Sequence, residues 1–335
     1  MMKKKDNKVN FLLMYATVGI TLLIVVIISA ITLERIINPN RLRSNATLER
    51  KIYIDRVTSH QKDIEVTDDH FVPNFSNVYA LNTMEEIEKY LYSIDPTASY
   101  LTLESFDVKD FILQDLRIDL KTKAPKVLIF HTHSQEAFID SEEGVKDDTI
   151  VGVGKKLAEI LAKSYNIPVV HDIGEYDVVN GRHTIIGSYE VMEPSIRKVL
   201  KKYPSIEVII DLHRDGVPDD VHFVTEIDGK STAKLMFFNG TATGLRSEAE
   251  NGTYKLHNEY VKDNLALSLQ MQLMANELYP GLARKIYIRP YRYSLHLKPR
   301  SMLVEVGGNT NTVEEAKNAM YPLAKLIVEV LDIQD

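Results

Sequence analysis

KVLIFHTHSQEAF, Lys126 to Phe138, is the stretch on which the fold turns. KVLIF is a short apolar run, rich in β-formers and too brief for a helix, and reads as a buried strand. Directly behind it come His131, His133 and Glu136. A core has no use for such groups, because fully buried ionisable side chains are uncommon unless paired or metal-bound. The strand therefore hands ionisable residues to a cleft at its carboxyl end.

Working outward, the same alternation repeats. Ile150 to Tyr165 has the pattern of an amphipathic helix, IPVVHD of a strand, and Tyr189 to Tyr203 of a helix with Lys201 and Lys202 in its last turn. IEVIIDLH, Ile206 to His213, is a second strand ending in charge and histidine. VHFVTEIDGKSTAKLMFFNG predicts a hairpin turning at Asp228-Gly229. His257 to Leu278 is a long helix whose Met and Leu stripe reads as core. KIYIRPY and SMLVEV are strands, and Thr312 with Glu315 three residues on opens a last helix with a capping box. Strands alternating with helices imply an α/β fold, a layered and largely parallel sheet flanked by helices. Ligands bind such sheets beyond the carboxyl ends of the strands. Three strands carry ionisable residues there: the one ending at Phe130, the one carrying Asp211, His213, Arg214 and Asp215, and the one carrying Glu305.

His133-x-x-Glu136 is a metal-ligand spacing, and His213 supplies a third ligand from another strand. Three nitrogen and oxygen ligands plus a water describe a catalytic zinc site. Such chemistry also needs a carboxylate to move the water's proton, and Glu305 is the candidate general base and acid. Asp211 is placed to hydrogen-bond a ligand, and Arg214 to hold a substrate carboxylate or carbonyl. Ser134 and the ring of Tyr189 are lesser candidates. His131 competes with His133, because strand alternation puts both on one side; with His131 as ligand, Glu190 competes with Glu136. His171, His183 and His257 read as surface or core histidines, while His296 is a candidate to line the cleft. GVGKK at Gly152 to Lys156 lacks the glycine and hydroxyl positions of a phosphate loop, and no G-x-S-x-G elbow is present.

The 335 residues hold no cysteine, which excludes disulfides, thiolate ligands and a cysteine nucleophile. The net charge of −7 argues against broad nucleic-acid binding. Residues 1–10 carry Lys3, Lys4, Lys5 and Lys8 against Asp6, and Phe11 to Leu33 runs without a charge. At ~1.5 Å per residue that run spans the ~30 Å hydrocarbon core of a bilayer. The basic flank puts its start in the cytoplasm and the rest of the chain outside; the competing reading is a cleaved signal peptide. The expected organisation is a cytoplasmic end at 1–10, a transmembrane helix at 11–33, a stalk and small membrane-proximal region at 34–120, and a catalytic domain at 121–335. Within the membrane-proximal region, Met84 to Tyr92 predicts a helix capped by Asn82 or Thr83.

At HTHSQEAF, VIIDLHRDG and LVEVGGNTNTVEEA together, the chain resembles the stage II sporulation protein P family of endospore-forming bacteria. The resemblance runs from about Lys126 to the end, and is strengthened by the stretch from Arg289 to Gly308. It implies the fold of zinc-dependent N-acetylmuramoyl-L-alanine amidases, which resemble zinc carboxypeptidases. It implies a peptidoglycan hydrolase cutting the amide between N-acetylmuramic acid and L-alanine, with peptide cross-links as further substrates. It places that enzyme at the septum and engulfing membranes in sporulation, with stage II sporulation proteins D and M as partners. Residue by residue, His133 or His131 matches the first zinc histidine, His213 the second, and Glu305 the catalytic glutamate. The related amidases carry their first histidine in a G-H-G-G turn, which is absent here, so the acidic ligand stays open. A carboxypeptidase-like peptidase, with Arg214 or Arg289 holding a terminal carboxylate, and a non-catalytic envelope scaffold are the alternatives.

Overall fold

The structure is a computed structural model that describes residues 71–98, 108–242, 245–248, 252–255 and 257–332. The expected cytoplasmic end at 1–10 and the charge-free run at 11–33 lie outside these residues, as do 34–70 and 99–107 of the expected stalk and membrane-proximal region. Among the described residues no helix is long and apolar enough to cross a membrane.

In chain order the elements are α1 (Met84–Tyr90), β1 (Tyr92–Ile94), α2 (Val108–Leu113), β2 (Val127–Phe130), α3 (Ile150–Ser164), β3 (Val169–His171), β4 (Val178–Val179), β5 (Arg182–His183), α4 (Ser188–Lys202), β6 (Val208–Asp215), β7 (Val224–Ile227), β8 (Lys230–Ala233), β9 (Leu235–Gly240), β10 (Leu245–Glu248), β11 (Gly252–Lys255), α5 (Val261–Leu278), β12 (Ile286–Arg289), β13 (Arg300–Gly308) and α6 (Val313–Val330). Seven strands form one sheet in the order β1-β12-β9-β13-β6-β2-β3. The block β13-β6-β2-β3 is parallel throughout, and so is β1-β12-β9. The two blocks run in opposite senses and meet at the antiparallel pair β9–β13. The sheet is therefore largely parallel, as the alternation of strands and helices predicts.

β2 and the first six residues of β6 are buried on both faces, which is why they read as continuous apolar runs and not as alternating ones. α3, α5 and α6 pack together over one face. α5 is buried nearly all round; its polar Gln270 and Asn264 are admitted because Gln270 donates to the carbonyls of Phe111 and Gln114, and Asn264 to those of Pro299 and Ser301. On the other face Met192 and Ile196 of α4 pack on Leu128, Phe130 and Ile209. Farther along that face Leu295 and Tyr293 pack on Met236, Phe238 and Leu303.

The hairpin turn is where the sequence puts it. Asp228 and Gly229 both have positive φ, +50° and +73°, the backbone of a type I′ turn between β7 and β8. The expected hairpin is shorter than the stretch that suggested it, because LMFFNG leaves it as β9 and enters the central sheet. The helix expected over His257 to Leu278 starts at Val261, after a turn made by Asn258 to Tyr260. The helix at 84 ends at Tyr90, with Thr83 as its cap in a capping box with Glu86. Tyr92 then starts β1, which pairs with β12 as an edge strand of the central sheet.

Candidate active site

The order β13-β6-β2 makes the three charged strand ends neighbours. Phe130 lies opposite Asp211, and Glu305 lies opposite His213. β2 stops at Phe130, and the loop behind it is stapled to β6 by Thr132. Its backbone N–H and its hydroxyl donate to the two carboxylate oxygens of Asp211 at 2.9 and 2.7 Å. Asp211 also accepts from Nε2 of His213 at 2.8 Å. With Nε2 so held, the other ring nitrogen of His213 turns to Glu136, whose Oε2 stands 3.5 Å from Nδ1. The backbone N–H of Arg214 donates to that same oxygen at 2.8 Å and fixes the carboxylate. The ring of His133 lies 5.2 Å from that of His213, centre to centre, and its Nδ1 is closed to solvent with no hydrogen-bond partner. Oε2 of Glu305 is in the same condition.

The charges follow from this packing. Burial opposes a proton on His213, but the carboxylates of Asp211 and Glu136 on its two sides outweigh it and hold its pKa well above the ordinary value. Burial and the neighbouring His213 push His133 down. Burial also penalises the charge of Asp211, yet His213 and the Thr132 donors keep its pKa low. Glu305 goes the other way: burial, reinforced by Glu136 and Asp215, lifts its pKa to about 8 against the pull of His213 and Arg284.

The two competing histidines separate. Alternation holds only while the chain is extended, and β2 ends before either residue. His131 keeps to the face covered by α3. Its Nδ1 donates to the carbonyl of Leu212 at 2.9 Å, and its Nε2 lies 2.9 Å from Nε2 of His171. Both nitrogens of His131 are therefore engaged, whereas His133 turns to the face of His213. Gly154 on α3 makes room for the imidazole pair: a Cβ there would stand 2.4 Å from Cε1 of His131. This is the role of the second glycine in GVGKK; a Cβ on the first, Gly152, would instead meet the backbone of Asp147. Burial lowers His131 to about 3 and His171 to about 4, so both rings are neutral.

The remaining candidates are placed as follows. Nε of Arg214 donates to the carbonyl of Ala137 at 2.9 Å, anchoring the side chain on the His133 loop. The ring of Tyr189 meets His133 edge-on at 5.7 Å, and burial raises its phenol pKa well above the usual value. Ser134 donates to Asp177 at 2.7 Å. Glu190 is exposed in the first turn of α4. His296 pairs with Glu193 on α4 at 3.1 Å, and Arg289 with Asp95 at 3.1 Å. The sequence reading missed Thr132, Asp177 and Arg284. Asp177 is fully buried and also accepts from the backbone N–H of Gln135 at 3.0 Å, so it fixes the loop from the far side. No motif marks it, since the loop residues it holds lie more than forty positions away; its carboxylate also faces the half-exposed His183 at 3.3 Å.

Among the described residues no group of three or more His, Cys, Asp or Glu side chains is arranged so that it could hold a metal ion. The available donors are all nitrogen and oxygen, a set suited to a zinc ion with an open position. The unpartnered Nδ1 of His133 beside the His213–Glu136 pair is the feature that speaks for an ion there.

The family model for stage II sporulation protein P matches residues 38–328. The chain belongs to that family. Stage II sporulation protein P of Bacillus subtilis is 24% identical to it over 218 residues, which cover 61% of this chain and 50% of the relative. The chain thus spans about half the length of the curated relative it matches. Among solved structures it is similar to the N-acetylmuramoyl-L-alanine amidase AmiC2 of Nostoc punctiforme, with 15% identity, a TM-score of 0.38 and coverage of 63% of this chain and 98% of that one. It is also similar to the CwlD amidase of Clostridioides difficile, solved in complex with the GerS lipoprotein, with 15% identity, a TM-score of 0.38 and coverage of 62% and 100%.

Proposed function

We propose that the chain is a zinc-dependent peptidoglycan hydrolase that cuts the amide between N-acetylmuramic acid and L-alanine during sporulation. Family membership supports this reading, and one observation carries it. A half-buried glutamate, Glu305, whose Oε2 is closed to solvent, lies opposite His213 on the adjacent strand, beside an arrangement of histidines and a carboxylate in which one nitrogen has no partner.

His133, Glu136 and His213 are the residues proposed to hold the ion. A zinc ion held there would supply Lewis-acid chemistry, polarising a carbonyl and lowering the pKa of a nearby water. The protein's own part is to prepare for that. Thr132 orients Asp211, and Asp211 fixes the ring of His213 so that Nδ1 faces the site. The Arg214 backbone N–H holds Glu136 against it. Glu305 is proposed as the group that takes a proton from the attacking water and gives it to the leaving amine, and a carboxyl lifted towards neutrality by burial suits both halves of that task. Arg214, its guanidinium anchored at Ala137, is proposed to meet the substrate carbonyl. We also assign to this reading a membrane anchor at 11–33 with the catalytic part outside, a place at septal and engulfing membranes, and partnership with stage II sporulation proteins D and M. Cleavage of peptide cross-links is a further proposed activity.

The test is digestion of purified peptidoglycan by the full chain, with and without a chelator, read by mass spectrometry. Free stem peptides beginning at L-alanine are expected, restored after chelation by added zinc and lost in Glu305→Ala. Trimmed peptides still attached to muramic acid would replace the amidase with a peptidase. Cleavage that survives chelation, or that Glu305→Ala retains, would overturn the mechanism.

A further inference from the structure

Polar side-chain atoms closed to solvent and bonded to nothing need a physical reason, because each costs about 1–3 kcal/mol. His133 and Glu305 carry such atoms at the catalytic edge of the sheet. Arg284 carries two, Nε and Nη2. Arg284 stands on the same row. Glu305 lies opposite His213 on one side and Met236 on the other, and the bridge between Leu235 and Ala283 places Arg284 beside Met236. Its side chain is fixed. Nη1 pairs with Oδ2 of Asp215 at 2.9 Å, the guanidinium lies 3.8 Å over the ring of Phe223, and the backbone N–H donates to Leu235 at 2.7 Å.

What is left unused is one whole edge of the guanidinium. Nε and Nη2 form the parallel pair that grips a carboxylate through both oxygens. Arg117 in this chain does so, with Nε and Nη2 at 2.8 and 2.7 Å from the two oxygens of Asp115. The Arg284 edge is shut off from solvent to the same degree as Oε2 of Glu305 and Nδ1 of His133. We propose that Arg284 is the substrate-carboxylate subsite of this cleft, gripping a free carboxylate on the peptide side of the scissile amide. The proposal rests on the hydrolase reading above. Arg284 stands two strand spacings from Glu305, about 10 Å at the backbone, and an extended chain advances about 3.4 Å per residue, so a carboxylate about two residues from the scissile bond comes within reach of the long Arg284 side chain. The Asp215 pair fits this role, since it orients the fork and leaves one positive edge for the ligand.

The test uses two muramoyl peptides that differ only in the residue after L-alanine, which bears a free carboxylate in one and a carboxamide in the other. The wild-type chain is expected to favour the carboxylate by roughly 10- to 100-fold in kcat/KM, the range for a charge-assisted hydrogen-bond pair. In Arg284→Gln the ratio should fall to about one. Arg284→Lys keeps the charge but not the fork, and should fall between. It also guards against misfolding of the glutamine variant. A wild type indifferent to the carboxylate, or variants that keep the preference, overturns the proposal. Should the wild type hydrolyse neither peptide, the hydrolase reading fails instead, and calorimetric titration of the full chain with the same two peptides decides this one. Tighter binding of the carboxylate that is lost in Arg284→Gln supports it, and equal binding overturns it.

Discussion

At the scale of single residues, His131 and His133 are separated by one position and do different work. His133 is expected to carry the metal, so His133→Ala should lose bound zinc and hydrolysis while its unfolding in the presence of chelator stays close to wild type. His131 joins Leu212 to His171 behind the sheet. His131→Ala should keep stoichiometric zinc but lose about 2–4 kcal/mol of stability, from a cavity and two broken buried hydrogen bonds. Metal analysis and urea unfolding on the two variants check this, and zinc lost from His131→Ala alone would reverse the assignment. Gly154→Ala should destabilise by about 1–3 kcal/mol, because the new Cβ has no room beside the imidazole pair. The candidate cluster was legible in the sequence because three strands end in ionisable residues. Which histidine faces it was not, since that depends on where β2 stops, and a backbone that turns at Thr132 no longer obeys alternation.

At the scale of elements, α6 shows how far local signals reach. Thr312 accepts from the N3 backbone of Glu315, and Glu315 accepts from the backbone of Thr312, as the capping-box spacing predicts. Glu315 does more than the spacing says. Its carboxylate also accepts from Ser231 at 2.9 Å, Asn311 at 2.9 Å and His222 at 2.8 Å, tying the helix to the β7–β8 hairpin and the segment before it. Those partners are 84 and 93 residues away at Ser231 and His222, out of reach of any periodicity argument. Thr312→Ala should therefore cost about 1 kcal/mol, and Glu315→Gln more. Burial opposes the charge of Glu315, but the donors from His222, Thr312, Asn311 and Ser231 outweigh it and depress its pKa to about 2. A depressed carboxylate contributes stability above its unfolded pKa, and that contribution fades as pH falls towards the folded value. The gap between wild type and Glu315→Gln in urea unfolding should be full at pH 7 and shrink from about pH 4.5 down to 2. A gap independent of pH would mean that the hydrogen bonds hold without the charge.

At the scale of the whole molecule, the parallel character of the sheet was readable from alternating strands and helices, but its division into two opposed blocks was not. LMFFNG is apolar enough for either a hairpin arm or a central strand, and only its pairing with β13 decides. That seam places Arg284, Glu305 and His213 on one row, and the same crowding sets the pH response of the metal-free fold. Glu305 has its pKa raised from 4.5 to about 8, mainly by burial and then by Glu136 and Asp215. Between those values the native state binds the proton that the unfolded chain has released, so this group's contribution to stability falls as pH rises from about 4.5 to about 8. His131 and His171 act in the opposite sense. Lowered to about 3 and about 4, chiefly by burial, they stay neutral in the fold while the unfolded chain takes up protons below about 6.5, so stability falls as pH drops through that range. With chelator present, the melting temperature should therefore peak between about pH 5 and 7. Glu305→Gln should flatten the alkaline side alone: equal to wild type near pH 4.5, and increasingly more stable up to about pH 8. Thermal melts of both proteins across that range check it, and a difference that does not grow with pH would show that Glu305 ionises freely in the folded cleft.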